Sequence, residues 1–197
     1  MTTTRSHRTT KPVPTNKRMD AQRNAQTLLE AAAALFVSDG VEVPVRDIAA
    51  RAGVGTGTIY RHFPTRADLI VAVYQHQIDA CVEAGAVLLT DRASPYVALE
   101  RWISLFVDFL TTKHGLAAML GTDSPDFKTL HAHFLERLVP VCEALLGASV
   151  QAGEIRSDIE ARELMRGVGN LCIGAGSAPH YNARRLVGAL IAGLRRT

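Results

Sequence analysis

An all-α fold of about nine helices is what this 197-residue chain predicts, and three observations predict it. Apolar residues recur at three- and four-residue spacing, capping or proline signals open those stretches and glycines close them, and no alternating β-branched run appears. The length suits one sizeable core or a small module docked on a larger one. Apolar residues make up 47% of the chain, yet no run reaches the ~18 residues of a membrane span, so no membrane partner is expected. The first nineteen residues are basic but lack an apolar segment or a small-residue cleavage site, so they do not read as a secretory signal, and cytoplasmic residence follows. Cys81, Cys142 and Cys172 are odd in number and far apart, which argues for reduced, buried thiols over disulfides or a metal site.

The first helix is expected to open at Asp20, to carry Leu28, Leu29, Ala32, Leu35 and Phe36 on one face, and to stop at Asp39-Gly40. Pro44 reads as the first residue of a second helix, VRDIAARA, which Gly53 ends. TGTIYRH forms a third, closed by Phe63-Pro64. Thr65 with Asp68 makes a capping box for a fourth helix running to about Leu89, long enough to join two domains. Ser94-Pro95 opens a fifth, expected to end near His114-Gly115, with LAAML as a separate short segment. Another long helix spans Phe127 to Ala152, with Pro140 removing one of its hydrogen bonds. Asp158 is expected to cap the next, which extends to about Gly174, and Pro179 precedes the last.

Charge is unevenly placed. Residues 1–66 hold ten Lys/Arg against five Asp/Glu, whereas the remainder holds twelve against fourteen. The front is basic, which by itself suits a disordered, solubilising tail as well as an arm that meets phosphate.

Two short helices crossing at a steep angle need a small residue at the crossing, a glycine at the turn and apolar anchors. Ala49 is the small residue, Gly53 the turn, and Ile48, Ala52, Val54 and Ile59 the anchors. With Ile59 inward, a period of about 100° per residue places Gly57 and Arg61 on the opposite face, flanked by Thr58 and Tyr60. Gly57 permits close backbone approach, Arg61 suits guanine or phosphate, and Thr56 and Thr58 suit base or phosphate contacts. Arg18 in the basic arm and Arg46 in the second helix join them as candidate DNA contacts.

The stretch RDIAARAGVGTGTIYRHFPTRADLI resembles the helix-turn-helix and following helix of the TetR (tetracycline-repressor) family, and LLEAAAALFVSDGVE is similar to that family's first helix and turn. The resemblance covers about residues 18–82. It implies that Tyr60 and His62 contact backbone phosphates, that Phe63 plugs the core, and that Arg66 stands where the family often has a phosphate-binding lysine. One departure is visible: Val43-Pro44 offers no side-chain oxygen to cap the second helix. The implied organisation is a flexible arm over 1–19, a three-helix DNA-binding domain over 20–66, and a helical effector-binding and dimerisation domain over 67–197.

For the C-terminal part the resemblance implies a pocket and a dimer interface without naming the ligand. Trp102, Phe106, Phe109, Met119, Phe127, His131, Phe134 and Met165 are the pocket candidates, weighed against ordinary core packing. The last two helices, with Gly167, Gly169, Gly174 and Gly176 and the apolar Val168, Leu171, Leu186, Leu190 and Leu194, are the candidate dimer surface. The implied function is a homodimeric regulator on a palindromic operator, a repressor released by an unknown small molecule. An activator or a ligand-independent regulator on the same fold, or a small helical enzyme, are the alternatives.

Enzyme motifs fail on spacing, so no catalysis and no cofactor are expected. Gly174-Ala175-Gly176 lacks a third glycine because Pro179 occupies its place, and Gly53 to Thr58 lacks the Gly-Lys-Ser/Thr of a phosphate loop. His131 and His133 are two apart on a helix and point to different faces, which rules out a paired zinc site.

Overall fold

The computed structural model describes residues 15–91, 94–173 and 180–196, with side chains from Arg23 onward. Eight helices follow one another: α1 (Thr15–Asp39), α2 (Val45–Ala52), α3 (Thr56–His62), α4 (Arg66–Thr90), α5 (Pro95–Leu120), α6 (Pro125–Gln151), α7 (Ala161–Cys172) and α8 (Ala183–Ala192). The only β pairing among the described residues is an isolated antiparallel bridge between Ile155 and Arg195.

Three boundaries differ from expectation for local reasons. α1 starts at Thr15 rather than Asp20, so a boundary at residue 19 falls inside a helix. Arg18 therefore sits on α1, with its side chain outside the described residues. LAAML is not separate but forms the last turns of α5, which runs through Gly115 and ends at Gly121, where φ is +81°. That fusion turns the expected nine helices into eight. Asp158 does not cap α7; Glu160 stands at that position without a side-chain cap bond, and Asp158 pairs with Arg156 at 3.0 Å.

α4, α5 and α6 make the centre of the molecule, and α7 and α8 pack on α5 and on each other. By length and hydropathy α5 would suit a membrane. Its Leu99, Trp102, Phe106, Phe109 and Leu110 are instead buried in the bundle. Tyr74 of α4 stacks on Phe109 at 5.1 Å between centroids and its hydroxyl donates to the Leu130 carbonyl of α6 at 3.1 Å, so one buried side chain ties three helices. Trp102 Nε1 donates to the Cys81 carbonyl at 2.9 Å, which satisfies its polar atom inside the core.

α4 starts as expected. The Thr65 hydroxyl accepts from the Asp68 amide at 3.1 Å, and the Asp68 carboxylate accepts from the Thr65 amide at 2.9 Å. At the far end of the molecule the Glu154 carboxylate accepts from the Tyr96 amide at 2.6 Å, and the Arg195 guanidinium lies 4.8 Å from the centre of the Tyr96 ring. These contacts pin the chain beyond α8 to the start of α5.

Gly85 is where α4 comes closest to its neighbours, since a side chain there would run into Val141 of α6 and Trp102 of α5. Gly85→Val should therefore destabilise the fold by about 2 kcal/mol through overpacking. Urea denaturation followed by Trp102 fluorescence measures it, and an unchanged midpoint would refute the close approach.

Candidate nucleic-acid interface and helical cavity

The turn between α2 and α3 is built from backbone geometry. Gly53 takes φ +67°, ψ +28°, a left-handed conformation that most side chains resist. The Gly53 amide bonds to the Ala50 carbonyl at 3.2 Å and the Val54 amide to the Ala49 carbonyl at 3.0 Å, the paired bonds of a Schellman ending. Pro44 lies at the cap of α2 with extended ψ and no side-chain cap bond, one residue outside the helix rather than its first residue. Ile48, Ala49 and Ile59 are buried, and Val54 and Phe63 pack half-buried against the same core. Five of the six scaffold residues thus hold the two helices from within, and the exposed Gly53 supplies the turn between them.

What α3 leaves outside is the opposite face. Thr56, Gly57, Tyr60, Arg61 and His62 are exposed and Thr58 is half-buried beside them. Tyr60 retains 52% of its surface, an unusual exposure for an aromatic ring in a monomeric surface. Apart from its chain neighbours and the backbone of its own helix, no described atom lies within 4 Å of where a Gly57 side chain would begin, so packing within the chain does not demand glycine there. Arg61 has no ion pair among the described residues, and Arg46 has only its neighbour Asp47 at 3.5 Å, an exposed pair that contributes little.

Arg66 departs from the sequence expectation. Its guanidinium turns inward over the α1–α2 loop, donating from Nη2 to the carbonyls of Val41 and of Val43, the latter at 2.8 Å. Glu42 lies 3.9 Å from its Nε. Two loop carbonyls hold the group, because they have no helical amide to bond and one end of the planar fork reaches both. Arg66 is a strut between the loop and α4 rather than a free phosphate ligand.

A second feature lies between α5, α6 and α7. A cavity of about 660 Å³ is lined by Phe106, Leu110, Lys113 and His114 of α5, His131, Phe134 and Leu135 of α6, and Met165, Arg166, Gly169 and Asn170 of α7, with Glu160, Arg162, Glu163 and Ile173 around them. Four of the eight pocket candidates, Phe106, His131, Phe134 and Met165, line it. Trp102 and Phe109 do not: they are fully buried among α4, α5 and α6. Phe127 stands behind His131, stacked at 6.1 Å, and Met119 is exposed near the end of α5. Of the polar lining, the sequence expectation includes His131 but not Lys113 or His114. Lys113 and His114 follow Phe106 by seven and eight residues, so the helical period does place them on its face.

Burial governs the chemistry of this wall. It pushes the Lys113 ammonium below its ordinary pKa, and it lowers His114 and His131 as well, with the Lys113 charge adding to both. The Lys113 amino group sits 5.4 Å from the centre of the Phe134 ring.

The candidate dimer residues divide. Val168 and Leu194 are buried inside the chain, packed on its own core, so neither is available to a second copy. Leu171, Leu186 and Leu190 are half-buried, and a side chain at Gly167 would meet Leu190 only at an ordinary contact distance of 3.9 Å. Gly174 and Gly176 lie outside the described residues.

Two family models match this chain: bacterial regulatory proteins of the tetR family over residues 28–73, and the C-terminal domain of SbtR-like transcriptional regulators over residues 94–196. A TetR transcriptional regulator from Streptomyces coelicolor superposes with TM-score 0.69 at 32% identity, over 87% of this chain and 98% of that one. An HTH-type transcriptional regulator of Staphylococcus aureus is 28% identical over 122 residues, 61% of this chain and 66% of that protein, so just under two thirds of that relative's length is spanned. A transcriptional regulator from Saccharomonospora viridis in complex with choline shares the fold, with TM-score 0.57 at 20% identity over 87% of this chain and 96% of that one. A helix-turn-helix set on a helical bundle is the class that the geometry defines. The chain belongs to the TetR family of bacterial transcriptional regulators.

The thiols are shielded. Burial pushes Cys81 and Cys142 up to about 12, and raises Cys172 too. At pH 8 only about one in ten thousand of the first two is thiolate, and thiolate is the reactive form. Ellman's reagent should leave Cys81 and Cys142 unmodified in the native protein and titrate all three after guanidinium unfolding. Rapid native reaction of two or more would contradict the burial.

Proposed function

We propose that the chain acts as a homodimeric cytoplasmic repressor that sets α3 of each subunit into successive major grooves of a palindromic operator, about 34 Å apart, and leaves DNA when a small molecule enters the cavity. The observation that carries DNA reading is the outer face of α3, where Thr56, Gly57, Tyr60 and Arg61 are exposed around a glycine that the protein itself does not require. In this reading Gly57 lets the backbone approach DNA, Arg61 reads a base edge, and Thr58, Tyr60 and His62 hold phosphates, aided by Arg46 and by Arg18 of α1. Residues 67–197 form the effector-binding and dimerisation unit. Its second copy meets the half-exposed Leu171, Leu186 and Leu190 and the exposed Ile173.

Release needs a link from cavity to recognition helix, and one contact chain supplies it. Lys113 and His114 line the cavity, and Gly115 beside them abuts the Val41 side chain in the α1–α2 loop. Arg66, at the start of α4, holds the Val41 carbonyl. A ligand that shifts this part of α5 presses on the loop and on α4 together, re-aiming α3 relative to its partner.

Selection of bound sequences from random DNA tests the reading directly. A palindrome with half-site centres one helical turn apart is expected; recovery of unrelated sequences would defeat it. Arg61→Ala should weaken operator affinity by about 1–3 kcal/mol with an unchanged melting temperature. Gly57→Ala separates contact from stability. It should alter stability by less than about 1 kcal/mol while reducing operator affinity, and retained affinity in a fluorescence-anisotropy titration would remove Gly57 from the interface.

A further inference from the structure

We infer that the cavity between α5, α6 and α7 accepts an organic acid, its carboxylate drawn to Lys113 and its flat apolar body laid along the Phe106–Phe134 wall. The inference rests on reading that cavity as the effector site.

The wall is unusually ordered. Phe106 and Phe134 are stacked with planes 2° apart and centroids 6.0 Å apart, and His131 continues the row 5.3 Å beyond Phe134. Both rings line the cavity with almost all of their surface covered, so they form an apolar floor against which a planar or extended hydrocarbon body packs. Burial lowers both neighbouring imidazoles, so His114 and His131 favour their neutral forms and leave Lys113 as the nearest full charge on the α5 and α6 walls.

The charge of Lys113 is unanswered. Glu160 and Glu163 line the same cavity, yet neither forms an ion pair with it, and Lys113 has no ion pair among the described residues. It has instead a ring face, that of Phe134. A half-buried ammonium without a counter-ion is costly, and a carboxylate brought by a ligand offsets the cost while forming a charge-assisted hydrogen bond. The remaining charges agree in sign, because Arg162 and Arg166 balance the two glutamates and Lys113 leaves the lining net positive. A cationic ligand would be repelled by the Lys113 charge, and a neutral one would leave Lys113 without its partner.

The test uses three probes with one hydrocarbon body: 3-phenylpropionate, 3-phenylpropanol and 3-phenylpropylamine. Trp102 is the single tryptophan and its ring stacks on Phe106 at 5.7 Å, so cavity occupancy is read by its fluorescence in the full chain without DNA. The acid should bind saturably and at least about tenfold more tightly than the alcohol, with the amine weakest. Lys113→Met should reduce the acid to the alcohol's affinity while leaving the alcohol unchanged, and Lys113→Arg should retain the acid preference. Equal or tighter binding of alcohol or amine, no saturable binding of the acid, or an acid preference that survives Lys113→Met overturns the inference. Operator release is measured separately. Acid binding without release sinks the effector role and leaves the acid site standing; release by amine or alcohol but not by acid does the reverse.

Discussion

Everything in this molecule hangs on α4 being one unbroken helix with both ends held. Twenty-five residues at about 1.5 Å each give a rod roughly 37 Å long, stiff enough to transmit displacement from one end to the other. The capping box of Thr65 and Asp68 satisfies its first turn, and the Arg66 guanidinium ties that turn to the α1–α2 loop. Farther along, Val73, Tyr74, Ile78 and Cys81 bury one stripe among α5 and α6, and Gly85 lets the three helices close together. In the proposed release, a shift of α5 or α6 would be passed to α4 as a movement of the whole rod, because helices pack in discrete arrangements.

The helix-turn-helix has little hydrophobic core of its own, and this explains why its anchors are shared. α3 is seven residues long, too short to persist alone, and packs chiefly on α2, so its orientation is set by Ile48, Ala49 and Ile59 joining the core that Leu28, Ala32 and Phe36 of α1 extend. Val45, Ile48, Ala49, Ala52 and Ile59 are thereby committed inward, and Ala50 and Tyr60 stay exposed. The remaining surface is polar, glycine-bearing and basic, as a surface facing phosphate and base edges must be.

The cavity shows the opposite economy. Its aromatic wall belongs to the same row of stacked rings that packs α5 on α6, so the site is lined by the edge of the core rather than by a separate set of residues. Filling such a space perturbs helix packing directly, and Lys113, His114 and Gly115 place that perturbation next to Val41.

The sequence by itself determined the helical class, the Gly53 turn, the Thr65–Asp68 cap and the inward set of α1 to α3, because each depends on backbone conformation or on helical period within a few residues. It also determined the outer face of α3, since knowing that Ile59 is buried orients a seven-residue helix completely. Tertiary structure alone decided which aromatic rings border empty space. Trp102, Phe106 and Phe109 share one stripe at three- and four-residue spacing, and only the placement of α6 and α7 separates wall from core. It decided that Val168 and Leu194 serve the chain's own core, because an apolar residue on an amphipathic helix does not specify which neighbour will cover it. It also decided that Arg66 turns inward, since a long flexible side chain goes to whichever unsatisfied carbonyls the fold brings within reach, and those of Val41 and Val43 lie more than twenty residues away in the chain.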